Sequence, residues 1–125
     1  MQQNVYKGFK ELNCWKEGRV LRNMISGFAA RLPDTEKYML SAQLIRSSRS
    51  VNANIAEGHG KYTYRDQLHF CINARGSLSE THNHLIDALD EGYISEDELQ
   101  NQLLQLKKVE RLLNGYIGFL RKKLQ

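Results

Sequence analysis

Apolar residues recur every three or four positions along almost the whole chain and nowhere alternate over the length of a strand. That period belongs to helices. Pro33, the Gly58–Gly60 pair and Gly92 punctuate the pattern into four segments. The first predicts a helix from about Asn13 to Arg31, with Asn13 as its cap. Trp15, Gly18, Leu21, Met24 or Ile25, Phe28 and Leu32 fall on one face, and Pro33 turns Leu32 out of α geometry. The second predicts a helix from about Thr35 to Glu57, capped by Asp34 or Thr35. Its inward stripe is Tyr38, Leu40 or Ser41, Leu44, Ile45, Ser48, Val51 and Ile55, and Gly58 is its left-handed stop. The third runs from about Tyr64 to Glu91 behind a Thr63–Asp66 capping pair. Leu68, Cys71 or Ile72, Arg75, Leu78, Leu85 and Leu89 mark its face. Gly76 in its middle costs about 1 kcal/mol against Ala, which predicts a close helix approach there.

The fourth helix runs from about Glu96 to Lys122 behind the Ser95-x-x-Glu98 capping box. Leu99, Leu103, Leu106, Leu113, Ile117, Leu120 and Leu124 trace one stripe, and Leu104, Leu112 and Phe119 widen it. A bundle core needs only the first stripe, so the extra flank reads either as a protein–protein surface or as a broad core position. Four such helices with short connections predict an all-α, antiparallel up-down-up-down four-helix bundle.

Length and composition narrow the class without changing the fold. A chain of 125 residues fits one domain, residues 1–125, and 41% hydrophobic with 26% charged residues is a globular balance. No apolar run approaches the roughly 20 residues that cross a bilayer. Met1 to Lys10 contain no apolar signal-peptide core, so a cytoplasmic location and no membrane partner are expected. Cys14 and Cys71 are too few for a secreted disulfide framework and read as small core residues.

Chemistry is sparse. His82 and His84 are two apart and point to different faces, so they do not share a metal as i, i+4 histidines do. His84 and Asp87 at i, i+3 are a weak metal cue, and the Glu-x-x-His repeats of di-iron bundles are absent. No phosphate loop, dinucleotide fingerprint or nucleophile elbow occurs, and Gly58-His59-Gly60 lacks the Lys-Ser/Thr that a phosphate loop needs. The expectation is no catalytic residue, no metal, no cofactor and no enzyme.

Polar residues recur instead on the second and third helices. Gln43, Arg46, Ser50, Asn54 and Glu57 share one side of the second, and Ser77 and Glu80 lie at matching depth on the third. An antiparallel pair predicts an Arg46–Glu80 ion pair. If that pair is buried, loss of one partner costs about 3–5 kcal/mol. The constellation reads as an inter-helix network that fixes register or an oligomer contact, with a ligand or nucleic-acid site as the alternative.

The run from Gln43 to Gly58, with Asn54-Ile55-Ala56-Glu57-Gly58 at its most specific end, closely resembles the signature of the four-helix bundle proteins encoded within intervening sequences of 23S ribosomal RNA genes. Phe70, Ala74-Arg75-Gly76-Ser77 and Glu80 resemble that family's second motif. Leu12 and Trp15, Pro33 with Glu36 and Tyr38, and the Gly92-Tyr93-Ile94 turn fit as well. The chain departs from the pattern after Glu80, where His82-Asn83-His84 stands in place of a frequent second acid. The resemblance implies an all-helical protomer, a ring-shaped homopentamer and no established enzymatic activity. It also brings in, by likeness of fold, the basic nucleic-acid-binding accessory proteins of diversity-generating retroelements. Gln43, Arg46, Ser50, Asn54, Glu57, Gly58, Gly76, Ser77 and Glu80 are the motif positions of the network.

Charge then gains a direction. The net charge is +4 with a pI near 9.1. The twelve residues from Asp87 to Glu98 hold six acids and no Lys or Arg, leaving 18 basic against 8 acidic side chains elsewhere. In an up-down-up-down bundle that acidic turn lies opposite the end where the termini and the Lys61–Arg65 turn gather. Lys7, Lys10, Lys16, Lys61, Arg65, Arg121, Lys122 and Lys123 are therefore the expected contacts to RNA or DNA phosphates, with Tyr62 and Tyr64 placed to stack on unpaired bases. Two rival readings stay open: a protein-interaction scaffold, such as an accessory subunit for a retroelement protein, and a small metal enzyme.

Overall fold

The computed structural model describes residues 8–125. A 3-10 turn, Phe9–Glu11, leads into α1, Asn13–Ala29, and a second, Asp34–Glu36, precedes α2, Leu40–Gly60. Then come α3, Tyr64–Asp90, and α4, Glu96–Lys123. No strand occurs among the described residues.

Side-chain pairs fix the directions. Ser47 meets Thr81 and Ser50 meets Ser77, so α2 and α3 run opposite ways. Gln67 meets Tyr116 and Arg75 meets Asn114 between α3 and α4. Asn52 reaches the Trp15 carbonyl and Ser41 the Ala29 carbonyl between α2 and α1. Gln105 reaches Glu17, and Glu98 pairs with Arg31, the residue just past α1, so α1 and α4 are also antiparallel. The helices α1 and α3 lie on one diagonal and α2 and α4 on the other. The bundle is all-α with up-down-up-down order.

The four stripes close on one core. Leu21, Ile25 and Phe28 of α1 join Leu44, Val51 and Ile55 of α2, Leu78 and Leu85 of α3, and Val109, Leu113, Ile117 and Leu120 of α4, all essentially without exposure. Spacings of three, four and seven put one residue per turn inward. Cys14 and Cys71 are buried, free thiols within that core, and burial pushes them up to about 11 and about 12. They stay protonated at neutral pH, which fits small core residues better than reactive ones.

The structure corrects several local expectations. Helix α2 begins at Leu40, not Thr35, because the residues after Pro33 close i to i+3 bonds: Glu36 N–H to Pro33 O, Lys37 N–H to Asp34 O and Met39 N–H to Glu36 O. Neither Asp34 nor Thr35 caps it. The Glu36 carboxylate accepts from the Leu40 N–H at 3.3 Å and from the Tyr93 hydroxyl at 2.9 Å, tying both loops of this end together. Tyr38 accordingly lies in the turn and is 84% exposed. Asn13 is the first residue of α1, and Leu12 holds the cap position without a side-chain bond. The Thr63–Asp66 and Ser95–Glu98 caps form as expected, each hydroxyl accepting a backbone N–H at 3.1 Å.

Gly58 is not a stop. It lies inside α2, where a Cβ would stand 2.7 Å from Phe70 Cβ and 3.3 Å from Gln67 Cα. The chain reverses at Tyr62, a non-glycine residue at φ +70°. Gly76, expected at a close approach, has no neighbour within 4 Å of its would-be Cβ. The close approaches are at Gly58 and at Gly18, which faces the Asn52 amide. The flank of α4 divides: Leu112 packs on the core, while Leu104 and Phe119 are exposed.

Candidate nucleic-acid interface and the α2–α3 network

The register of α2 against α3 brings the polar motif residues together. The Arg46 guanidinium pairs with Glu80, and Gln43 Oε1 accepts from the same guanidinium at 3.1 and 2.7 Å. His84 Nε2 lies 3.0 Å from the bonded Glu80 oxygen, and Nδ1 lies 3.8 Å from Asp87. The His84 hydrogen bond first, and Arg46 after it, hold the Glu80 carboxyl below its usual range. Further along, Ser77 donates to Ser50 at 2.9 Å, and the Asn54 amide donates to the Ser50 carbonyl at 2.8 Å and hydroxyl at 3.1 Å. Thr81 donates to the buried Ser47 at 2.8 Å. Glu57 is exposed outside this ladder, and Gly76 is exposed with no neighbour.

The ion pair is not the buried one that would cost about 3–5 kcal/mol to break. Arg46 and Glu80 side chains are 55% and 37% exposed, so the pair is worth about 0–1 kcal/mol. Two contributors lie beyond the sequence-predicted set. The Glu80–His84 contact has the i, i+4 spacing that could have flagged it, whereas the His84–Asp87 spacing suggested a metal. The Ser47–Thr81 bond carries no charge to mark it.

The pH dependence of stability tests this network. Glu80 has a folded pKa below its unfolded one, so its contribution is present above the ordinary Glu pKa of about 4.3 and fades as pH falls through the lower folded value. Glu80→Gln should therefore be less stable than the parent at pH 6. The two denaturation midpoints should converge as pH falls below the ordinary Glu range. A constant difference across that range would contradict the assignment.

The expected phosphate contacts gather at the opposite end of α2. Lys61 follows α2, Arg65 sits in the first turn of α3, and Arg121, Lys122 and Lys123 end α4; all are exposed. Tyr64 packs edge-on against Phe119 with ring centroids 6.3 Å apart, and Lys123 Nζ lies 5.5 Å from the Phe119 centroid, joining these two corners. Lys10 and Lys16 are exposed beside the start of α1 and line one shallow groove with Arg19. Lys7 lies outside the described residues. Tyr62 is 73% exposed, whereas Tyr64 is partly spent on Phe119. The three cations closing α4 also suit its negative dipole end.

At the far end, Asp87, Asp90, Glu91, Glu96 and Asp97 are exposed, and Glu98 pairs with Arg31. Arg31 and Lys37 temper that acidic pole, a contribution from the first loop that a count over Asp87 to Glu98 omits. Among the described residues no group of three His, Cys, Asp or Glu side chains is placed to hold a metal ion. No helix of the described residues is long and apolar enough to cross a membrane.

The sequence profile described as 23S rRNA-intervening sequence protein matches residues 10–115. The chain belongs to that family. A solved member of the S23 ribosomal protein family, a Bacteroides thetaiotaomicron protein of unknown function, shares the fold. Its TM-score is 0.78 at 21% identity, over 84% of this chain and 95% of that one. No functionally curated protein matches. The family match and the shared fold agree on the helical bundle, while the relative's function is itself unknown.

Proposed function

We propose that this protein is a non-enzymatic, self-associating bundle, pentameric in its assembled form, that holds RNA or DNA by the phosphate backbone at its basic end. The observation that carries the reading is charge separation along the helix axis. Seven exposed cations, Lys10, Lys16, Lys61, Arg65 and Arg121 to Lys123, stand at one end against the exposed acids Glu11, Glu57 and Asp66, and five exposed carboxylates stand at the other against Arg31 and Lys37. Contacts of this kind are sequence-independent and salt-sensitive. In a ring of parallel protomers the basic ends form one annulus and focus the field. Leu104, 71% exposed on α4, and Met39, 64% exposed in the first loop, supply apolar surface for association between copies.

Light scattering and fluorescence anisotropy test the two halves separately. Scattering should give about five times the 14.5 kDa protomer mass, and a labelled single-stranded RNA should bind at low salt. A clean monomer would refute the assembly. Absence of binding even at low salt would refute the ligand and leave the scaffold reading, for which the same apolar surface of α4 is the contact.

A further inference from the structure

The phosphate candidates named above lie at the bundle end, but the side of the molecule carries a different concentration of positive charge. Arg22 of α1 and Arg49 of α2 face one groove of about 600 Å³ between these two helices. Trp15, Ala53 and Ala56 form its apolar wall, and Asn23 and Ser26 add polar groups. Among the described residues no carboxylate lies within 4 Å of either guanidinium. Arg22 donates a local bond to its neighbour Asn23 at 3.3 Å. Glu17, the nearest acid in sequence on α1, turns instead to Gln105 and Lys108 of α4 and lies outside this lining. Two permanently charged planar forks therefore share a concavity with no counter-charge from the described residues.

The groove is held open by the packing beneath it. The Asn52 amide donates to the Trp15 carbonyl at 3.1 Å, and its oxygen sits against Gly18. This fixes the indole-bearing turn of α1 against α2. We infer that the α1–α2 groove is a phosphate-binding site, with Arg22 and Arg49 as the anion clamp and Trp15 as a stacking wall for an attached base. Arginine pairs match phosphate oxygens bidentately, and an indole face stacks on any base. The groove adjoins the shallow one lined by Lys10, Lys16 and Arg19, with which it shares Trp15 and Asn23, whereas Arg22 and Arg49 line this groove and not that one. The phosphate can belong to a free nucleotide or to a strand.

Trp15 is the only tryptophan of the chain and lines both this groove and the adjoining one with Lys10 and Lys16, so its emission reads binding at either and the Arg22 and Arg49 variants tell the two apart. Adenosine monophosphate and a short oligothymidylate lacking a terminal phosphate are titrated at matched ionic strength. A saturable change in Trp15 emission is expected with one or both probes. Response to the nucleotide alone assigns the site to free nucleotides, and response to the oligomer assigns it to a strand backbone. R22Q/R49Q should weaken binding at least ~tenfold, with R22K/R49K intermediate because charge remains and the forks are lost. R121Q/K122Q/K123Q at the bundle end should leave nucleotide binding within about twofold, since those residues line no part of this groove. No saturable change with either probe, or equal affinity in parent, R22Q/R49Q and R22K/R49K, would overturn the inference.

Discussion

Gly58→Ala should destabilise the protein by about 1–3 kcal/mol, although alanine is the better helix former. The added methyl would stand 2.7 Å from Phe70 Cβ, 3.3 Å from Gln67 Cα and 3.4 Å from the Gln67 carbonyl oxygen. Two of those three atoms are backbone, so α3 itself has to move. Gln67 is poorly placed to give way, because its side chain bonds the Tyr62 carbonyl at 3.2 Å and accepts from the Tyr116 hydroxyl at 2.6 Å. Gly76→Ala is the control with the opposite sign. Nothing lies within 4 Å of its would-be Cβ, so relief of glycine's helix penalty should stabilise by up to about 1 kcal/mol. Urea midpoints of the two variants should fall on opposite sides of the parent. A neutral Gly58→Ala would mean that α2 and α3 separate at no cost, contrary to the packing described.

Phe28→Ala should cost about 3–5 kcal/mol, a large share of the roughly 5–15 kcal/mol that holds an ordinary domain. Phe28 is only 2% exposed and sits in the last turns of α1, where its ring also underlies the Arg31 guanidinium at 5.4 Å. Truncation leaves a cavity and strips that arginine of its platform beside its Glu98 partner. Phe119→Ala is the informative contrast, because Phe119 is 46% exposed and its truncation removes rim contacts with Tyr116 and Tyr64. It should cost well under half as much. Equal losses would place Phe119 in a buried environment that the bundle alone does not provide.

The fold was legible because helical periodicity and the buried stripes are one fact seen twice. Residues such as Leu21, Leu44, Leu85 and Leu113 are inward for the reason that made them periodic. What failed was glycine. A glycine near a helix end and a glycine in a helix middle read alike as either conformational or packing devices. Only the neighbour decides, and Gly58 has Phe70 while Gly76 has open space. The start of α2 failed for a related reason, since Asp34 and Thr35 are good caps in isolation but Glu36 captures the role from within a 3-10 turn. Arg46–Glu80 was legible because antiparallel helices fix which depths meet. Its exposure was not, since that depends on how far the pair stands from the bundle axis. Arg22 and Arg49 were missed because they belong to different helices: Arg22 has no motif around it, and Arg49 lies within the Gln43–Gly58 run but off the side shared by Gln43, Arg46, Ser50 and Asn54.

Single-stranded RNA binding at the basic end should depend steeply on salt, with log K falling linearly with log salt by about 0.7 per phosphate neutralised. R121Q/K122Q/K123Q should bind more weakly, and its slope should be shallower by about 2 per protomer, because three phosphate contacts are lost. Binding that ignores salt, or a slope unchanged by removing the cations that end α4, would contradict phosphate binding at that end.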